Sequence, residues 1–213
     1  MSDTYATLSH VRLKSATPYI HPPELPARVY MDNPAIDVMT DFHYVRPRTT
    51  RPDVTIDDAL EHMKKSGVRL LLVEDEERNV IGIITSNDIQ GEKPIRLAQE
   101  SRISHSEIKV SDVMTPREEV EALNMLSVRN AQVGHIVATL HAVERRHLLV
   151  IQSVDFDEFE SSGGDGDEPR ISGSAQVIRG LFSSAQIGRQ LRADIDEIMT
   201  AAHSLSEIQH GLP

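Results

Sequence analysis

The tetrapeptide DVMT occurs at residues 37–40 and again at residues 112–115, an offset of 75. A chain that repeats itself at this distance is constrained to fold as one small unit used twice, so the repeat governs the reading of every other segment. A second anchor agrees. GIIT contains Gly82 and GLFS contains Gly180, an offset of 98. Most of the 23 additional residues fall in an acidic, Gly- and Ser-rich segment at about 155–170, which reads as a loop insertion in the second copy. A segment so poor in apolar side chains cannot offset the entropy of ordering, and mobility is expected there.

Between the anchors each copy follows the same order. After DVMT comes a short apolar piece, FHYV or VEAL, read as a strand. A helix follows, with Ile56, Ala59, Leu60 and Met63 at i, i+3, i+4 and i+7, matched by Val133, Ile136, Val137 and Leu140 at the same spacing. That spacing places four side chains on one helical face. Thr55 with Asp58 has the pattern of a capping box, and Gly67 that of a C-terminal stop. The runs LLLV at 70–73 and LLVI at 148–151 are too short for helices and read as buried strands. EDEERN at 74–79 turns the first chain back into the strand holding Gly82; the acidic insertion does so in the second copy. A final helix closes each unit. Around these units, Asn33-Pro34 reads as a cap and first-turn proline opening a short helix. The linker at 91–109 reads as a helix started by Pro94, then a capping box at Ser104 and Glu107. The organisation expected is an N-terminal arm over 1–32, a first unit with its linker over 33–109, and a second unit over 110–213.

Composition limits the function classes. The 213 residues carry a net charge of −11, which disfavours nucleic acid as a partner. The acidic segment alone holds seven acids and one Arg, so the charge describes a loop more than a surface field. There is no Cys, which rules out disulfides, thiolate metal sites and a Cys nucleophile. No apolar run is long enough for a membrane span, and the first 30 residues lack the apolar core of a signal peptide. A cytoplasmic protein is expected. Aromatics are 4%, so the core should be aliphatic. The ten His never stand three to five apart, so no helical zinc pair is written, and no P-loop, nucleophile elbow or H-E-x-x-H is present. GGDGDE at 163–168 has a calcium-repeat flavour but occurs once, and a flexible loop is expected instead.

DVMT, the amphipathic helix, the LLLV strand and GIITSND, repeated in order, resemble the cystathionine-β-synthase (CBS) domain. Two copies in tandem resemble a CBS pair, or Bateman module, over roughly residues 33–191. The resemblance implies an α/β (α+β) fold of two β-α-β-β-α units about a pseudo-twofold axis, with two clefts between them. It implies a regulatory module, not an enzyme. Such a module senses an adenosine-containing ligand (AMP, ADP, ATP or S-adenosylmethionine), requires no cofactor, commonly forms a homodimer, and acts on a partner protein, here in trans.

The ligand chemistry can be set against the residues. A ribose presents two vicinal hydroxyls, and an ionised carboxylate can accept both through charge-assisted bonds. In the family the Thr and Asp of G-h-h-T-x-x-D carry the ribose and phosphate contacts, and the matching residues are Thr85 and Asp88. A helix start beside them offers N–H groups to a phosphate. The same two residues also form a capping pattern and could do only that. In the second copy Ser183 and Gln186 keep the capping pattern without a carboxylate, so that site reads as degenerate for ribose. For adenine, Met39 and Thr40 with Leu71 form a candidate apolar wall, although Met39 and Met114 suit core packing as well. For phosphate, Arg69 and Arg146 precede the same strand in each copy, and Arg46, Arg48 and Arg51 follow the first strand. Two readings stay open: a nucleotide sensor built on Asp88, and a CBS-pair interaction module that binds no nucleotide.

Overall fold

The computed structural model describes residues 24–158 and 171–192, and the isolated positions 9, 12, 15 and 16 before them. The expected mobile loop and GGDGDE therefore lie mostly or wholly outside the described residues. The chain is mixed α+β. After a one-turn 3-10 helix at Ala35–Val38 come β1 (Thr40–Asp41), β2 (Thr49–Thr50), α1 (Ile56–Ser66), β3 (Leu70–Glu74), β4 (Val80–Thr85), α2 (Ser86–Gln90) and α3 (Glu92–Ser101). Then follow α4 (Val110–Val113), β5 (Thr115–Pro116), β6 (Ala122–Asn124), α5 (Met125–Arg129), α6 (Val133–Ala142), β7 (His147–Glu158), β8 (Ile171–Ser183) and α7 (Ser184–Leu191).

Local signals place the helices. Thr55 caps α1 by accepting from the Asp58 N–H, and Gly67 ends it in the left-handed region at φ 66°, where a residue without Cβ carries no steric penalty. Ile56, Ala59 and Met63 of α1 are buried, as are all four expected positions of α6. Ser104 and Glu107 form a capping box around a single 3-10 turn. The linker helix starts at Glu92, two residues before Pro94, because Gly91 provides the extended N-cap. At the first repeat Pro34, not Asn33, is the N-cap. The Asn33 Oδ1 instead accepts from the Tyr30 N–H at 2.8 Å.

FHYV is not a strand. The Asp41 Oδ1 accepts from the His43 N–H at 2.8 Å, and the Asp41 carbonyl accepts from Tyr44 and Val45, so the chain turns as soon as β1 ends. The first strand parallel to β3 is β2, and its counterpart β6 overlaps only the end of VEAL.

The two sheets have the orders β2-β3-β4-β5 and β1-β8-β7-β6. Each sheet takes one edge strand from across the repeat. The strand after the first DVMT, β1, pairs with β8, and the strand after the second, β5, pairs with β4. The registers are equivalent: Asp41 lies opposite Gly180, and Pro116 opposite Gly82. The side chains follow. Val38 and Met39 are fully buried in the core with Phe182 and Ile187, while Val113 is buried with Ile84 and Ile89. Each crossing is fastened further. Asp41 forms an ion pair with Arg179 on β8, and Lys93 Nζ donates to the Val113 carbonyl at 2.9 Å.

The apolar runs are continuous because both strand faces are buried. Leu71 and Val73 face α1 and the helices beside it, while Leu70 and Leu72 meet Leu149 between the sheets. Hairpin register equates Leu71 with Leu148, since they lie opposite Ile84 and Phe182. LLLV therefore aligns with HLLV at 147–150, one residue earlier than the apolar match of 70–73 with 148–151. β7 and β8 pair out to Glu158 opposite Ile171, so the acidic insertion begins as a lengthened hairpin. Part of the N-terminal arm belongs to the second core: Val29 is buried there, its N–H donates to Gln190, and the Gln190 amide donates to Pro26 at 2.7 Å.

A Cβ built on Gly82 would lie 2.6 Å from the Thr115 carbonyl oxygen, and one on Gly180 2.5 Å from that of Thr40. Both neighbours are backbone and cannot rotate away. Gly82→Ala and Gly180→Ala should each cost about 1–3 kcal/mol, the usual range for overpacking. Urea denaturation should show lowered midpoints; an unchanged midpoint would mean the crossing strands sit further off.

Candidate functional site

The sheets leave two clefts at their helical ends. The first is lined by Arg69, Thr85 and Asp88, and from the second unit by Thr115, Glu121, Arg146 and His147 among others. β4 delivers Thr85 at the point where α2 begins. The Thr85 Oγ1 accepts from the Asp88 N–H at 3.3 Å, and the Asp88 Oδ2 accepts from the Thr85 N–H and hydroxyl, both at 2.7 Å. Asp88 thus closes a complete capping box. Both of its cap bonds use Oδ2.

The second cleft holds Thr40, Ser183 and Gln186, with Arg46, Arg48, Arg69 and Arg189. Gln186 does not cap its own helix, and Ser183 makes no side-chain cap bond. The amide instead bridges to the crossing segment: Oε1 accepts from the Thr40 hydroxyl at 3.0 Å and Nε2 donates to the Val38 carbonyl at 3.4 Å. An amide can do this because it carries both an acceptor and donors, whereas an ionised carboxylate only accepts.

Thr85, Asp88, Arg69 and Arg146 are thus brought to one cleft. Met39, Thr40 and Leu71 are not. Strand exchange sends Thr40 to the other cleft and puts Thr115 beside Asp88. Met39 and Leu71 are fully buried in the two helical cores, and the β3 side chain that does line the first cleft is Leu70. Arg51 joins neither lining; its guanidinium bonds the Asp75 carbonyl and pairs with Glu76. Among the described residues no three His, Asp or Glu come together as a metal site, and no helix is long and apolar enough to cross a membrane.

His147 is the lining residue that the repeat left unremarked. It occupies the position of Leu70 in the other hairpin and borders both clefts. Burial pushes its imidazole down from 6.5 to about 4, Arg69 and Arg146 push the same way, and Asp88 opposes them. Aligning the strands by hairpin register, with Arg69 over Arg146, would have exposed it: a His then stands where the first copy has Leu.

Residues 35–92 match the family model of the CBS domain. The first unit is a CBS domain. The second unit, beyond the matched residues, repeats the same strand order around Gly180, with one additional short helix, α5, before α6. Among solved structures, the chain is similar to an uncharacterised conserved protein from Pyrococcus horikoshii (20% identity, 78% of this chain and 97% of that one, TM-score 0.49). It is also similar to a signal-transduction protein with CBS domains from Burkholderia ambifaria (20% identity, 70% and 84%, TM-score 0.45). A third is CBSX2 of Arabidopsis thaliana, solved in complex with AMP (18% identity, 74% and 94%, TM-score 0.44). A search of curated proteins finds no match.

The low value at His147 sets a pH dependence. The unfolded chain takes up this proton near 6.5 and the folded chain only near 4, so the unfolded state binds more protons between them. The contribution of neutral His147 is complete above about 6.5 and is lost as pH falls toward about 4. In His147→Leu, the residue found at position 70, urea midpoints between neutral and mildly acidic pH should fall less steeply than in wild type. Identical slopes would show that His147 protonates equally in both states.

Proposed function

We propose that the first cleft binds an adenosine-containing nucleotide and that the CBS pair passes this signal to a partner in trans. The supporting observation is that one cleft gathers Thr85 and Asp88 with Thr115, Arg69 and Arg146, drawn from both units. With both cap bonds on Oδ2, Asp88 Oδ1 keeps its two lone pairs and would accept the ribose hydroxyls. The two Arg would receive phosphate through their planar forks. A ligand that touches residues of both units shifts their relative geometry by its differential affinity for the two arrangements, which a homodimer or docked partner could read. No catalytic role is proposed. The competing reading, an interaction module without nucleotide, draws on the capping box: Asp88 already has a structural task.

The test is thermal shift with AMP, ADP, ATP, S-adenosylmethionine, NAD and cyclic di-AMP. A ligand at about 100 times its Kd stabilises by about 2.7 kcal/mol. At about 2–4 °C per kcal/mol for a chain of this size, the shift is several degrees. Asp88→Asn keeps an oxygen for the cap and loses the charge, so it should fold and lose most of the ligand shift. A panel that leaves the melting temperature unmoved sinks the sensor reading in favour of the interaction module. A shift that survives Asp88→Asn moves the site elsewhere.

A further inference from the structure

The two clefts differ in charge far more than the repeat suggests. Arg69, Arg145 and Arg146 of the first face Asp88, Glu119, Glu121 and Glu144. The second is lined by Arg46, Arg48, Arg69 and Arg189 and by no acid. These four come from three separate places: the β1–β2 connection, the start of β3 and α7. Among the described residues none of the four has an ion-pair partner. In a chain of net charge −11, such a cleft is a local reversal of sign. Gathered guanidiniums repel one another, and a multiply charged anion relieves that repulsion. Low-dielectric walls beside them, here Leu70 and Leu72, strengthen the field.

The cleft is also unsuited to a ribose. No carboxylate is present, and the Gln186 amide is engaged by Thr40 and Val38. We propose that the second cleft is a site for condensed inorganic phosphate, such as pyrophosphate or tripolyphosphate, recognised without a nucleoside. Guanidinium forks match phosphoryl oxygens two at a time, and arginines arriving from three directions suit several linked phosphoryl groups better than one. The site shares Arg69 with the first cleft but draws on neither Asp88 nor Arg146.

Isothermal titration of the full chain with tripolyphosphate and pyrophosphate tests this, with orthophosphate and ATP as separate arms. Tripolyphosphate should bind wild type, less tightly as salt is raised. Arg46→Ala/Arg189→Ala should weaken it by tenfold or more, roughly what one lost charge-assisted bond removes. Both residues are exposed, so the fold should persist, as its melting temperature will report. Ala185→Glu, which puts a carboxylate into the same lining, should weaken binding independently. Asp88→Asn should leave it unchanged, whichever way the nucleotide panel falls. The proposal is overturned if tripolyphosphate gives no binding, if both arginine and Ala185 variants bind as wild type does, or if orthophosphate binds as tightly. It is equally overturned if ATP binds more tightly than tripolyphosphate through Arg46 and Arg189.

Discussion

Everything in this fold depends on two close backbone approaches. At Gly82 and Gly180 a strand from across the repeat lies so near that a Cβ would meet a carbonyl oxygen. The missing side chain lets each DVMT segment cross and complete the other sheet, bringing Val38 and Met39 into one core and Val113 into the other. The units are therefore not beads on a string. Each is finished by the DVMT segment of the other, and the clefts inherit a mixed lining.

That mixed lining explains how two copies of one turn took different tasks. In the first copy a carboxylate at position 88 turns inward on its own helix and caps it. In the second an amide at position 186 turns outward and holds the crossing strand. A carboxylate there would place an acceptor against the Val38 carbonyl, with no donor to offer. The substitution from acid to amide thus has a structural reason of its own. The charge contrast between the clefts comes from elsewhere, from arginines on the β1–β2 connection and α7.

Much of the architecture was legible in the residues. The stripes of α1 and α6, the stop at Gly67, the box at Ser104 and Glu107 and the paired hairpins all rest on interactions between near neighbours, which the sequence states directly. Errors arose where two local signals competed or where a face had to be chosen. FHYV is apolar enough for a strand, but the Asp41 side chain turns the backbone first. Leu71 and Leu70 are indistinguishable in a run of leucines, yet strand alternation sends one to the helices and the other to the space between sheets.

The sequence by itself determined that the chain is one α/β unit used twice, with DVMT and a glycine strand as its joints, and that Thr85 and Asp88 share a strand-to-helix turn. Periodicity and capping act over a few residues, so they can be read from the order of residues alone. Only the tertiary structure decided which DVMT serves which cleft, placing Thr115 and not Thr40 beside Asp88, and only it set His147 between the two clefts. Two identical tetrapeptides carry no label for their destination. The choice is made by the docking of strands far apart in the chain, where the spacing of backbones at Gly82 and Gly180 admits one partner each.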